Sequence, residues 1–150
     1  MTTVSDLIQI LDQLCARLVK ASVTVEEITA LLGEVEEEGD EFSPTLVRPA
    51  STALESAAIS EDWESGEPSD LKLRVAAGAT LPVSAIHEKF GDYANVPMLP
   101  SGGAPQIYFE VDPGGANHVC ALFASVEKGA GGIEAGLVRE LLLRRDIRLD

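Results

Sequence analysis

The feature that most constrains the fold is Leu81–Gly91, which combines a helix start, a helix stop and an apolar face. Pro82 fits the first helical position, where its missing N–H leaves no bond unmade. Gly91 is a typical helix stop because glycine tolerates a left-handed backbone. The apolar face consists of Val83, Ile86 and Phe90. The sequence therefore predicts a short amphipathic helix here, packed against the rest of the chain.

A similar pattern occurs upstream at Val23–Gly33. Thr24 and Glu27 have the spacing of a capping box, and Gly33 is again the predicted stop. Alignment of the two glycines pairs Val25 with Val83, Ile28 with Ile86, and Leu32 with Phe90. Two readings remain open, because short amphipathic helices that end in glycine are common and any two can be aligned. The pattern indicates either an internal repeat or two unrelated helices.

Outside these helices the apolar period changes to two, which predicts strands. The predicted strands are 45–48, 54–60, 71–75, 106–111 and 118–126. Segment 137–146 is ambiguous, since its composition suits a helix but its pattern matches 70–76; we favour a strand. A loop rich in proline and glycine is predicted at 92–105.

These elements predict an α+β fold, a mostly antiparallel sheet with helices on one face. We expect residues 1–150 to form a single domain. Within it, 23–76 and 81–146 could be two helix-strand-strand-strand pseudo-repeats that follow an N-terminal helix at 3–20. That helix has a broad apolar stripe formed by Leu7, Leu11, Leu14 and Leu18. Such a stripe is buried on two sides or against a partner helix, so a homodimer through 3–20 is one expectation.

The net charge of −14 is concentrated in the first half of the chain. Residues 1–70 hold 16 acidic and 3 basic side chains, whereas 71–150 hold 9 and 8. This balance argues against binding to nucleic acid and to anionic membranes, since both need clustered Lys and Arg. The acidic run 34–41 is too charged to bury, and we predict a solvated loop or a strand edge there.

Two cysteines are too few for a disulfide framework, and Cys15 and Cys120 each have apolar neighbours. We therefore predict two buried thiols in a reducing compartment. The first residues lack a basic region, and the helix after them carries Asp12 and Arg17, which argues against a signal peptide or a membrane span. The expected location is the cytoplasm.

No motif of a catalytic, metal or nucleotide site stands out, so we predict no enzyme activity, no catalytic residue, no metal and no cofactor. Adjacent helical residues such as His87 and Glu88 point about 100° apart and do not converge on one atom. His118 and Cys120 share one strand face, and Cys15 could join them as a zinc ligand. However, the closely spaced cysteine pairs of closed zinc sites are absent.

The acidic first half predicts binding to another protein, one that is basic, because concentrated charge attracts and steers an oppositely charged partner. The most concrete form is an immunity-type inhibitor of a basic toxin or nuclease, which would act by occlusion. The predicted partner-binding residues are Glu34, Glu36, Glu37, Glu38, Asp40, Glu41, Glu61, Asp62, Trp63 and Glu64. One alternative is a secretion or assembly chaperone, and another is an enzyme or small-ligand module that uses loop 92–105 with His87 and His118.

Two resemblances concern layout and composition. Tandem halves of helix and antiparallel sheet resemble the β-lactamase inhibitory proteins, whose broad sheet binds an enzyme. The size, the acidity and the mixed order of helices and strands are similar to those of type III secretion chaperones. No residue motif carries either resemblance, so no functional residue is transferred from them.

Overall fold

The computed structural model describes residues 3–20, 22–40, 42–62, 64–96, 105–112, 117–127 and 132–147. The helices are α1 (Thr3–Leu18), α2 (Val25–Leu32) and α3 (Val83–Phe90). The strands are β1 (Gly33–Glu37), β2 (Thr45–Pro49), β3 (Leu54–Glu61), β4 (Pro68–Val75), β5 (Ala94–Val96), β6 (Gln106–Val111), β7 (His118–Glu127) and β8 (Leu137–Ile147). In these ranges no helix has the length and apolar character needed to cross a membrane.

The strands form one antiparallel sheet in the order β1-β2-β3-β4-β8-β7-β6-β5. β4 and β8 meet at its centre, and β1 and β5 are its two edges. The predicted α+β class is confirmed. Each half consists of a helix followed by four strands, one strand more than predicted. A repeat relating 23–76 to 81–146 in sequence stays a prediction.

The two central strands contain the segments that looked alike in sequence, and 137–146 is a strand, as favoured. Asp70–Arg74 runs antiparallel to Glu140–Arg144. This register sets the Asp70 carboxylate 3.3 Å from Arg144 and the Glu140 carboxylate 3.4 Å from Arg74. The acid at the start of each segment therefore pairs with the arginine at the end of the other.

All three helices lie on one face of the sheet and cover a continuous core. The predicted stripe of α1, formed by Leu7, Leu11, Leu14 and Leu18, is at most 1% exposed. It packs against β7 and β8 of its own sheet and beside α2 and α3. Of the two predicted possibilities for the stripe, burial within the chain is the one observed, and a homodimer through 3–20 stays a prediction.

Cys15 on α1 and Cys120 on β7 form a disulfide bond. Burial of both residues was predicted correctly, since they are 1% and 0% exposed. The predicted chemical state was wrong, because the two sulfurs are bonded and not free thiols. The bond joins positions 105 residues apart and fixes α1 to the sheet.

Three local details differ from the sequence pattern. β3 alternates poorly because a bulge interrupts its pairing between Leu54 and Ser56. Pro82 precedes the first residue of α3, one position earlier than predicted. The segment predicted as loop 92–105 contains the short strand β5, which pairs with β6; residues 97–104 lie outside the described ranges.

Candidate protein-binding site

The edge strand β1 contains residues 34–37, the first half of the acidic run 34–41. Residues 34–37 of this strand are all exposed, and only Gly33 is partly covered. Both predicted possibilities occur: 34–37 form a strand edge, and 38–40 belong to the connection between β1 and β2. The acidic side chains thus stand along an unpaired side of the sheet.

Gly33 joins α2 directly to β1. A glycine is required at this position because the backbone of residues 48–50 approaches it closely. A Cβ atom on Gly33 would lie 2.0 Å from the carbonyl oxygen of Arg48 and 2.8 Å from the amide nitrogen of Ala50. Gly91 has a φ of 92° and open space around its Cα, so it is the helix stop that was predicted. Both glycines end their helices as predicted, but Gly33 is in addition required by its close approach to β2.

The backbone of Val35 is turned away from the sheet. The amide of Ala50 donates to the carbonyl of Leu32 at 2.8 Å, and Gly33 stands opposite Pro49. In an antiparallel ladder, bonded and non-bonded pairs alternate. Two residues after Gly33, the N–H and C=O of Val35 consequently point outward, where a further strand could bond to them.

A groove of about 440 Å³ lies between α2 and the first strands. We call it the acidic groove; its lining is Val25, Glu26, Thr29, Ala30, Gly33, Val35, Glu38, Gly39, Thr45 and Glu61. It brings together carboxylates from three separate segments, namely Glu26, Glu38 and Glu61. Glu38 and Glu61 belong to the two acidic stretches that the sequence analysis proposed as one surface.

The wall of the acidic groove contains an unpaired polar group. Thr29 is 8% exposed, and within the described residues its hydroxyl oxygen has no hydrogen-bond partner. A buried hydroxyl without a partner is unfavourable and usually has an explanation in bound water or ligand. Thr29 was not predicted as a site residue, because in the sequence it is one more position on a short helix.

The other predicted binding residues are mostly exposed, and some have local partners. Glu36 pairs with Arg48 at 3.4 Å. Asp40 accepts hydrogen bonds from the amides of Phe42 and Ser43, which closes the turn between β1 and β2. Asp62 accepts one from the amide of Glu64. Glu34 and Glu37 are exposed on β1, and Glu41 and Trp63 lie outside the described residues.

A second polar cluster surrounds His87. Its carboxylates come from Glu134 and Asp92, and not from the neighbouring Glu88. The Nδ1 atom of His87 lies 2.9 Å from Glu134, and its Nε2 atom lies 3.0 Å from Asp92. The hydroxyl of Tyr93 donates to Glu134 at 2.6 Å. These contacts tie α3 to the segment before β8. Both ring nitrogens are engaged by carboxylates, so the geometry suits a structural imidazolium better than a free base.

This cluster predicts a specific pH dependence of stability. Hydrogen bonds to Glu134 and then Asp92 raise the pKa of His87 above its ordinary 6.5. The folded chain therefore holds this proton more tightly than the unfolded chain, which stabilises the fold below pH 6.5. That contribution is lost as the pH rises through the raised pKa. We expect His87→Gln to remove this loss when thermal unfolding is followed between about pH 5 and 8.

His118 provides the matched control. Burial, followed by the nearby Arg145, lowers the pKa of His118, so its contribution has the opposite sign and is lost as the pH falls below 6.5. His118→Gln should therefore reduce the loss of stability as the pH falls below 6.5. His87→Gln should reduce the loss of stability as the pH rises above 6.5. Parallel profiles for wild type and His87→Gln would contradict the account of the cluster.

The two histidines lie far apart. His118 begins β7, whereas His87 contacts Glu134, near the pairing of Leu137 with the last residue of β7. A ten-residue strand is about 30 Å long. The alternative of a ligand site with both imidazoles therefore loses its geometric basis. His118 and Cys120 share a face as predicted, but Cys120 is bonded to Cys15.

The face of the sheet opposite the helices carries another groove of about 440 Å³. Its lining includes Lys72, Phe123, Leu142 and Arg144. Arg144 pairs with Asp70 at 3.3 Å, and Lys72 lies 4.0 Å from Glu140. Because these cations are already paired, this surface offers less net charge for recognition than the acidic groove.

Comparisons of the chain with models of known protein families, with curated proteins and with solved structures found no match. No three His, Cys, Asp or Glu side chains within the described ranges are placed to hold a metal ion. The functional argument therefore depends on the surface chemistry of the chain itself.

Proposed function

We propose that the protein binds a basic partner protein through the acidic groove and the edge of β1. The observation that carries this proposal is the meeting of Glu26, Glu38 and Glu61, from three separate segments, beside an open strand edge. Short acidic stretches far apart in sequence would have no common target if the fold scattered them. Here they form one negatively charged surface.

Electrostatic attraction would act mainly on association. A concentrated field of one sign raises the rate of encounter with an oppositely charged partner, and the effect weakens as salt screens it. Exposed carboxylates at the rim change the association rate more than the dissociation rate. The partner surface should therefore be rich in Lys and Arg and complementary to the β1 edge.

The most concrete form remains an immunity-type inhibitor that occludes a basic toxin or nuclease, with an assembly chaperone as the alternative within protein binding. Neither requires the chain to carry out chemistry. We propose the cytoplasm as the location, although the Cys15–Cys120 bond favours an oxidising compartment. The thiol content of the chain isolated from its native source decides between these two locations.

A charge-reversal experiment tests the proposed function. The immobilised chain is exposed to native lysate, and captured proteins are identified for wild type, for Glu37→Lys/Glu38→Lys and for Glu88→Lys/Glu110→Lys. Both variants change the net charge equally, but only the first alters the acidic surface. We expect wild type and the second variant to capture the same basic protein, with loss in the first variant and at high salt. Equal capture by all three would contradict the proposal.

A further inference from the structure

We propose that the partner contributes an extended basic segment that pairs with β1 as a ninth strand and places a Lys or Arg side chain in the acidic groove. This inference rests on the proposed function and specifies the form of its ligand. It joins three observations: an open edge with an outward-facing backbone, a row of carboxylates along it, and further carboxylates in the adjoining groove.

The edge of β1 has the backbone groups that strand addition needs. The N–H and C=O of Val35 face away from β2, and its side chain is 45% exposed, which is unusual for a large apolar residue. An added strand would bond to this backbone and cover the side chain. No other described strand pairs with this side of β1.

The charges on the edge restrict which strand can be added. Charged residues on an exposed edge normally prevent strands from pairing indiscriminately. A row of carboxylates repels an acidic strand and disfavours a neutral one. It stabilises a strand whose cations stand directly opposite. Glu34 and Glu37 are exposed on β1 and would stand beside alternate side chains of the incoming strand. The edge is thus selective for a basic segment.

The acidic groove supplies a place for a cation on the other face of the added strand. Alternate residues of an added strand point toward the helix-covered face of the sheet, where Glu38, Glu61 and Thr29 line the groove. Lys and Arg carry only donors at their tips, and the groove offers acceptors. Those acceptors are the carboxylates of Glu38 and Glu61.

The probe is a blocked hexapeptide of alternating lysine and valine, titrated into the chain by calorimetry at low salt. The same peptide with N-methyl groups at alternate residues keeps its charge but loses one row of backbone donors. A peptide of alternating glutamate and valine controls for charge. Val35→Pro removes the outward backbone N–H while leaving the β1–β2 pairing. Val35→Thr keeps the backbone N–H and has a side chain of similar shape.

We expect the lysine peptide to bind wild type and Val35→Thr equally. The N-methylated peptide and the Val35→Pro variant should each bind about fivefold to tenfold more weakly. Glu38→Gln/Glu61→Gln should weaken binding about tenfold. The N-methylated peptide needs no altered protein, so it decides the question even if Val35→Pro does not fold.

Two outcomes overturn the inference without overturning the proposed function. One is that N-methylation and Val35→Pro leave affinity unchanged while Glu38→Gln/Glu61→Gln weakens it, which would show charge recognition without strand addition. The other is that the peptide does not bind although a basic protein is captured in the charge-reversal experiment. If no basic protein is captured, the proposed function fails first.

Discussion

Gly33→Ala is expected to lower the free energy of unfolding by about 3 kcal/mol, because the new methyl group cannot fit. The added Cβ would lie 2.0 Å from the backbone oxygen of Arg48, which no side-chain movement can relieve. The end of α2 and the start of β1 would have to move away from β2. In a chain of this size that loss corresponds to a midpoint about 6–12 °C lower in thermal unfolding.

Gly91→Ala is the matched control, since Gly91 holds the aligned position in the other half. Its Cβ would meet nothing within 4 Å, and only the φ of 92° opposes it. A cost of about 1–2 kcal/mol is expected from the backbone alone, because φ 92° with ψ −160° is a region that is largely restricted to glycine. If the two substitutions shift the midpoint equally, the close approach of β1 to β2 is wrong.

Removal of the Cys15–Cys120 bond is expected to have the other large effect. A cross-link across 105 residues restricts the unfolded chain strongly, and a loop of this length contributes about 4 kcal/mol. Chemical unfolding of wild type with and without a reductant measures this loss while the packed side chains stay the same. Cys15→Ala and Cys120→Ala should each unfold near the midpoint of the reduced wild type.

The state of the cysteines can also be measured directly. Alkylation in denaturant without a reductant should label no thiol in the purified chain, and after reduction it should label two. Labelling of both cysteines before reduction would return the pair to the buried thiols that the sequence predicted. Equal unfolding midpoints with and without the reductant would show that the bond, if formed, does not stabilise the fold.

Local patterns in the sequence predicted most of the elements because each depends on neighbouring residues. The helix at Val83–Phe90, the stripe of α1 and the clean alternation of β4 follow from periods of 3.6 and 2. The likeness between 70–76 and 137–146 was informative for a further reason. Those segments pair with each other in the centre of the sheet, so a similar pattern of charges lets each neutralise the other.

Contacts between distant residues were harder to predict. Nothing in the sequence indicates that the sulfurs of Cys15 and Cys120 meet, since a helical stripe and a strand face specify burial but not alignment. Gly33 was predicted correctly as a helix stop, but its close approach to the backbone of β2 was not predicted, because it depends on residues 48–50. The stripe of α1 was predicted to be buried, but a broad apolar stripe does not reveal whether a sheet of the same chain or a partner helix covers it.

The candidate site was predicted in part. The charge map selected the acidic residues of 34–41 and 61–64 as one binding surface, because charge concentration is visible without a fold. The acidic groove brings Glu38 and Glu61 of this set together, and the role of the set in binding stays a prediction. The contributions of Glu26 and Thr29 were missed, since they come from the wall of α2 and become relevant only when the helix packs beside β1. The cluster of His87 was missed for the same reason, because Glu134 is 47 residues away.

The most direct test of the central claim is a nuclear magnetic resonance titration that maps where a basic ligand binds. The isotopically labelled chain is titrated with the lysine–valine peptide, and amide shifts are followed along the whole sequence. The account predicts changes confined to Gly33–Gly39, to Thr29 and its neighbours on α2, and to Glu61. Changes centred on Phe123 and Leu142 of the opposite face, or no changes at all, would contradict it.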